Sequence, residues 1–140
     1  MSESAYNDGL KAYLTDDFET ALACWVPLAE AGHGPAAYRL GYMHETGQGV
    51  PADIAQAALW YGRAAQAGEG EALAALGSLY LHGTGVPQDY SRAYLLLNLA
   101  AARGARFAAG LRDRAAAFLS HEELAALEQE AARRFEALRR

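Results

Sequence analysis

The residues of this protein that could take part in metal chemistry are four histidines and one cysteine: His33, His44, His82, His121 and Cys24. The histidines have none of the short spacings that bring zinc ligands together on one helical turn or across one loop. A single cysteine can form neither a thiolate-rich metal site nor an internal disulfide. The sequence therefore predicts no metal site.

Two loops share the pattern Gly-x-Gly-Val-Pro, at residues 47–51 and 83–87. A dinucleotide-binding fingerprint has a third glycine and directly follows a β-strand. Neither loop has the third glycine, no strand pattern precedes either of them, and the sequence has no phosphate-binding loop with a lysine. We therefore expect these glycines to end helices, where a left-handed backbone is needed.

Acidic pairs at residues 16–17 and 122–123 are the remaining groups that could support acid–base chemistry. Both pairs are placed where negative charge favours the start of a helix. No part of the sequence combines a general acid, a general base and an oxyanion-stabilising group. We therefore predict that the protein is not an enzyme and has no catalytic residue and no cofactor.

The composition is that of one folded domain, with 140 residues of which 52% are hydrophobic and 21% are charged. Its net charge of −5 argues against nucleic-acid binding, which needs clustered lysine and arginine. All basic residues except Lys11 are arginine, which indicates a GC-rich bacterial genome. No stretch has the length and apolarity of a membrane span, and the N-terminus is too polar for a signal peptide. We expect a cytoplasmic protein, or a periplasmic or secreted one if a signal peptide was removed.

An internal repeat predicts how these residues are positioned. Residues 36–68 align on residues 72–104 without a gap, at a spacing of 36 residues. Both copies have a Leu-Gly pair, the glycine loop, an aspartate and a final glycine, which is typical of repeat architectures. A degenerate copy precedes them, in which Asp17 takes the place of Asp53 and the glycine loop is absent.

The same alignment suggests a role for the cysteine. Cys24 corresponds to Trp60 and Leu96, which we predict to be core positions of the second helix in each repeat. Cys24 is therefore expected to be a small buried hydrophobic residue rather than a nucleophile.

Each copy has the local signals of a helix hairpin. Pro35 suits the first turn of a helix, and Gly47 and Gly49 suit its end. The Val-Pro pair that follows favours extended backbone before the next helix. Asp53 is placed to cap that helix, with Gln56 completing a capping box, and the second copy repeats the aspartate.

The residues after the repeats predict a terminal helix pair. The first helix runs roughly from residue 106 to 119, with Phe107, Leu111, Ala115 and Phe118 on its apolar face. Ser120 and Glu123 form a capping box for a last helix that reaches about residue 139. Its apolar face is predicted to contain Leu124, Leu127, Ala131, Phe135 and Leu138, with outer pairs Glu130–Arg134 and Glu136–Arg140. Such a helix would seal a stack of hairpins.

The residues shared by the two copies resemble the Sel1-like repeat. The matching positions of the first copy are Leu40, Gly41, Gly47, Gly49, Val50, Asp53, Ala57, Trp60, Tyr61, Ala64, Ala65 and Gly68. Two positions depart from the family pattern. His44 stands where the family usually has tyrosine, and residues 96–97 are Leu-Leu where the first copy has Trp-Tyr.

The resemblance implies an all-α fold: a right-handed α-α superhelical solenoid of antiparallel, tetratricopeptide-like hairpins, closed by a C-terminal capping helix. We divide this single repeat domain into a degenerate first hairpin (1–34), two Sel1-like repeats (35–68 and 71–104) and a terminal pair with its cap (105–140). The resemblance further implies an adaptor or scaffold with a concave groove.

We expect the first helix of each copy to line that groove. The predicted partner-binding residues are Tyr38, Tyr42, Glu45, Ser78, Leu81 and His82. Tyrosine is favoured at binding hot spots because it offers rigid area with a polar tip. Tyr6 and Tyr13 of the first hairpin are further candidates. The predicted partner is another protein that binds as an extended or helical segment.

Two other functions stay open at this stage. A self-assembling structural module would form homo-oligomers through the terminal helices. Residues 1–36 have a net charge of −5 and residues 103–140 a net charge of +2, which would favour head-to-tail packing. A small-molecule or glycan binder would instead use the tyrosines of the groove.

Overall fold

The computed structural model describes residues 2–139, except for the side chains of residue 131 and residues 134–139. The described residues form eight α-helices and no β-strand, which confirms the predicted all-α fold. The helices are α1 (Ser2–Leu14), α2 (Phe18–Glu30), α3 (Gly34–Thr46), α4 (Ile54–Gln66), α5 (Gly70–His82), α6 (Tyr90–Ala102), α7 (Ala108–Ala116) and α8 (His121–Arg139). They divide into two compact units, of which the first ends at Glu69 and the second begins at Gly70.

The first six helices pack as three hairpins: α1 with α2, α3 with α4, and α5 with α6. A turn of three residues joins α1 to α2, whereas seven residues join the helices of the other two hairpins. The degenerate hairpin is therefore four residues shorter in its turn. Consequently α1 aligns on α3 at a spacing of 32 residues, while α2 aligns on α4 at 36.

In each hairpin, a glycine of the first helix faces a large buried side chain of the second. The pairs are Gly9 with Trp25, Gly41 with Tyr61, and Gly77 with Leu97. A Cβ atom on Gly41 would lie 2.5 Å from the Tyr61 ring, and one on Gly77 would lie 2.7 Å from Leu97 Cγ. These glycines therefore allow the two helices to approach closely around one side chain.

The prediction that Cys24, Trp60 and Leu96 are core positions was wrong by one residue. All three are only half-buried, and the next residue along each helix is fully buried instead. One residue corresponds to a rotation of about 100° around a helix, so the next position points in a clearly different direction. The glycine of the facing helix decides which of the two positions enters the core.

The local signals of the hairpins are confirmed in most details. Gly47 and Gly49 have left-handed backbone, with φ of 73° and 75°. The Asp53 carboxylate accepts hydrogen bonds from the backbone N–H groups of Ala55 and Gln56, at 3.1 and 3.2 Å. Pro35 lies in the first turn of α3.

Only one of the two hydrogen bonds of the capping box predicted for Asp53 and Gln56 is formed, the one from the N–H of Gln56 to the Asp53 carboxylate. The backbone N–H of Asp53 donates instead to the carbonyl of His44, at 2.8 Å. Asp89 makes the same bond to the Tyr80 carbonyl, at 3.0 Å. The long loop thus returns to the end of the preceding helix, and this tertiary bond replaces the local one.

The predicted apolar face of the helix after the repeats is only partly correct. Helix α7 begins at Ala108, because Phe107 has left-handed backbone (φ 65°). The side chain of Phe107 is 81% exposed. Phe118 lies beyond the end of α7 and is 63% exposed, although its ring stacks on Tyr90 at 4.3 Å between centroids. Ala115 is fully buried and Leu111 packs against the core of the second unit.

Helix α8 starts with the predicted capping box. The N–H of Ser120 donates to Glu123 Oε1 at 2.9 Å, and the N–H of Glu123 donates to Ser120 Oγ at 3.0 Å. Hydrogen bonds from the backbone N–H and then from the side chain of Ser120 to the carboxylate lower the pKa of Glu123. Leu124 and Leu127 pack against the core of the second unit, as predicted. The predicted contacts of Ala131, Phe135 and Leu138 and the pairs Glu130–Arg134 and Glu136–Arg140 lie outside the described residues.

Candidate functional site

The predicted partner-binding residues are distributed over both units, and each set is described by itself. Helix α3 of the first unit contains Tyr38, Tyr42 and Glu45. Helix α5 of the second unit contains the other predicted residues, Ser78, Leu81 and His82.

The side chains on α3 are held by the core residue Tyr61. The hydroxyl of Tyr61 donates to Glu45 Oε1 at 2.6 Å, and the Tyr38 ring lies against the Tyr61 ring, with centroids 5.7 Å apart. Burial and then the hydrogen bond to Glu45 raise the pKa of Tyr61 above its ordinary value. Tyr42 projects further and is 41% exposed.

Helix α1 adds two tyrosines to this part of the first unit. The Nε of Arg39 donates to the Tyr6 hydroxyl at 3.0 Å, and the Tyr13 hydroxyl donates to Gln48 Oε1 at 2.7 Å. We refer to Tyr6, Tyr13, Tyr38, Arg39 and Tyr42 as the tyrosine surface. The sequence identified all four tyrosines, but it missed the bond between Tyr6 and Arg39. No sequence pattern links these two residues, because at the spacing of 32 residues Tyr6 corresponds to Tyr38 and not to Arg39.

The predicted residues on α5 offer a smaller and more polar surface. His82 is exposed, and its Nδ1 lies 2.9 Å from the carbonyl oxygen of Ser78. A carbonyl oxygen can only accept, so Nδ1 bears the proton in this contact.

The prediction that Leu81 is available to a partner was wrong. Leu81 is only 5% exposed and belongs to the core cluster of the second unit, together with Leu97. Leu81 and Leu97 correspond in the repeat to Glu45 and Tyr61. The hydrogen-bonded pair of the first copy is thus replaced by an apolar pair, and an apolar side chain at this position turns into the core.

Two adjoining clefts of about 420 and 410 Å³ lie in the second unit and share Asn98, Arg112 and Glu128. Arg112 donates to Asn98 Oδ1 at 3.2 Å and forms an ion pair with Asp113, also at 3.2 Å. Burial and then the negative charge of Glu128 raise the pKa of Tyr94, which lines one cleft. No pattern in the sequence indicated these clefts, because α6, α7 and α8 each contribute to their lining.

The described residues include no group of three or more His, Cys, Asp or Glu side chains that could hold a metal ion. Cys24 is half-buried and forms no disulfide. His44 has a buried Nδ1 with no hydrogen-bond partner in the described part of the protein. None of the helices within residues 2–139 is both long and apolar enough to cross a membrane.

Comparison with known proteins gives two kinds of match. The family model of the Sel1 repeat matches residues 34–69 and 70–104, which include the hairpins α3–α4 and α5–α6. No curated protein matches this sequence.

Two solved bacterial structures are similar. One is c5321, a protective antigen of uropathogenic Escherichia coli strains that displays an SLR fold, with 26% identity and a TM-score of 0.86. The match covers 97% of this protein but only 30% of the antigen. The other is a Sel1 repeat protein from Oxalobacter formigenes, with 30% identity, a TM-score of 0.74, and coverage of 81% of this protein and 88% of that one.

Proposed function

Because this protein belongs to the Sel1 repeat family, we propose that it is a protein-binding module whose tyrosine surface holds a segment of another protein. Sel1 repeats are generally protein–protein interaction modules, and proteins of this fold are typically scaffolds without enzymatic activity. The binding surface within the module is our own assignment.

The observation that supports this surface most strongly is the fixed framework around Tyr42. Tyr42 lies one helical turn from Tyr38, whose ring rests on Tyr61, and Tyr61 in turn is bonded to Glu45. An exposed aromatic side chain on a rigid helix loses little conformational entropy when it binds. Tyr42 is therefore the best hot-spot candidate of the first unit.

The polar groups around the tyrosines also resemble a protein interface. Arg39 lies beside the two tyrosines of α3, and Glu45 lies one turn beyond Tyr42. An aromatic centre with polar groups at its rim is typical of surfaces that bind proteins.

The test compares two exposed residues with large hydrophobic side chains in the same unit, Tyr42 and Leu59. Partners are captured from the native host with wild-type protein and identified by mass spectrometry, and their affinities are measured by calorimetry for wild type, Tyr42→Ala and Leu59→Ala. Leu59 is the matched control, because it lies on α4 and is 63% exposed. We expect Tyr42→Ala to weaken binding about tenfold or more, since hot-spot truncations cost at least about 1–2 kcal/mol. Leu59→Ala should bind like wild type.

Equal affinities for the three proteins would contradict the tyrosine surface. Self-assembly is tested separately by light scattering over a range of concentrations, where we expect a monomer. Leu124 and Leu127 of α8 already pack against the core of the second unit, so these residues are not available to pair with another copy.

A further inference from the structure

Arg39 has a fixed position on the tyrosine surface. Its Nε donates to the Tyr6 hydroxyl at 3.0 Å, and the Tyr6 ring contacts the rings of Trp25 and His33, at 5.8 and 5.4 Å between centroids. Trp25 also donates its indole N–H to the Tyr6 carbonyl, at 3.1 Å. A residue of one hairpin therefore orients the guanidinium of the next.

The outer edge of this guanidinium is not used within the described part of the protein. The bond to Tyr6 is the only hydrogen bond or ion pair of Arg39 among these residues, and it occupies one of five N–H donors. The two terminal amino groups point in parallel from one planar edge, which is the geometry that binds a carboxylate through two hydrogen bonds.

Two arginines of the second unit also make side-chain hydrogen bonds. Arg112 donates to Asn98 and to Asp113, and Arg92 donates to the Tyr80 hydroxyl. In the second repeat, the position of Arg39 is occupied by Ala75. Arg92 is held by a tyrosine hydroxyl as Arg39 is, but it lies on the second helix of its hairpin, so an arginine at the position of Arg39 is found only in the first of the two repeats.

The charge around Arg39 restricts the anion that it can bind. Residues 1–69 contain nine acidic residues and three basic ones, which gives a net charge of −6. A partner with many negative charges, such as a phosphorylated segment or a nucleic acid, would be repelled by this unit. A single carboxylate next to apolar or basic residues is repelled much less, and its direct contact with Arg39 can outweigh the repulsion that remains.

We propose that Arg39, positioned by Tyr6, anchors a single carboxylate of a partner segment whose apolar side chains cover Tyr38 and Tyr42. This inference rests on the proposed function and names the chemistry that the same surface recognises. A free C-terminal carboxylate and an Asp or Glu carboxylate present the same two oxygens, so the experiment must separate these sources.

The test uses arrays of randomised peptides of one fixed length in three formats. The first has a free C-terminus and no acidic residue, the second an amidated C-terminus and one Asp or Glu, and the third has neither carboxylate. Each array is probed with wild type, Arg39→Gln, Arg39→Lys and the control Arg63→Gln, an exposed arginine of α4. Circular dichroism melting of every variant checks that it folds.

We expect wild type to select peptides from the first or second format, and the format identifies the source of the carboxylate. Arg39→Gln should bind the selected peptides about ten- to a hundredfold more weakly, because a charge-assisted pair is lost. Arg39→Lys keeps the charge but not the two parallel donors, so it should fall between Arg39→Gln and wild type. Arg63→Gln should bind like wild type.

The role of Tyr6 as a positioning residue is tested with Tyr6→Phe, which keeps the ring and removes only the hydroxyl. We expect an unchanged melting temperature and weaker binding of carboxylate peptides. If the third format bound wild type as well as the others did, or if Arg39→Gln bound normally, the anchor would be wrong. In that case, a loss of binding in Tyr42→Ala would still support the tyrosine surface as the binding site. Normal binding by Tyr42→Ala would reject the tyrosine surface as well as the anchor.

Discussion

The hairpins α3–α4 and α5–α6 have helices of equal length, the same glycine loop and the same aspartate cap, but they differ in how one position is used. Tyr61 fills the space next to Gly41 in the first, and Leu97 fills the space next to Gly77 in the second. The tyrosine has a hydroxyl that needs a partner, and Glu45 supplies it. The leucine needs none, and Leu81 joins it in the core.

This difference shows that core and surface are coupled through one pair of positions. In the first repeat a polar pair holds Glu45 near the surface and keeps Tyr38 in contact with Tyr61. In the second repeat the corresponding apolar pair removes Leu81 from the surface. The same backbone therefore presents an aromatic face in one repeat and a small polar face in the other.

The largest expected effect comes from adding a methyl group at the two close contacts. Gly41→Ala should destabilise the protein by about 2–3 kcal/mol, because the rigid Tyr61 ring cannot move away, whereas Gly77→Ala should cost about 1 kcal/mol because Leu97 can change rotamer. Urea unfolding followed by circular dichroism measures both values. Gly62→Ala on α4 is the control: its Cβ would meet nothing within 4 Å, so helix propensity should make it neutral or stabilising. Equal costs at Gly41 and Gly77 would contradict the difference in side-chain rigidity.

A smaller effect is expected from the polar pair itself. Tyr61→Phe should lower the free energy of unfolding by about 1 kcal/mol, because the hydrogen bond to Glu45 is lost. In a Glu45→Leu background, which imitates the second repeat, Tyr61→Phe should be neutral or stabilising, since the buried hydroxyl has already lost its partner. A double-mutant cycle in urea measures this coupling, and additive costs would show that the two side chains act independently.

The smallest effect is a difference in alkaline stability. The pKa of Tyr61 is raised in the folded protein. The protonated hydroxyl therefore contributes fully to stability below the pKa that tyrosine has in the unfolded chain, and this contribution is lost as the pH rises above that value. Wild type should therefore lose about 0.6 kcal/mol more than Tyr61→Phe between neutral pH and roughly pH 10.3, given an unfolded tyrosine pKa of about 10. Urea titrations at the two pH values test this, and parallel losses in both proteins would contradict it.

Several features of the fold were predictable because their causes are local. The left-handed glycines of the long loops, the Asp53 cap and the Ser120–Glu123 box each depend on residues a few positions apart. The spacing of 36 residues, visible in the sequence, predicted the two complete hairpins. Such signals act before any helix meets another, so the sequence alone determines them.

The errors concern which side of a helix faces the core. The sequence could not distinguish Cys24 from Trp25, because that choice depends on where Gly9 lies on the opposite helix. Phe107 was predicted to be buried and is exposed, because α7 begins one residue later. An apolar pattern gives the approximate face, and a shift of one residue moves a side chain by about 100°.

The candidate site divides in the same way. Its tyrosines could be identified from residue type and helical spacing, whereas the burial of Leu81 and the bond between Tyr6 and Arg39 could not. Helix identity, caps and turns are set by neighbours in the sequence. The orientation of Arg39 and the pairing of Glu45 with Tyr61 depend on contacts between helices, and only the tertiary structure brings those residues within hydrogen-bonding distance.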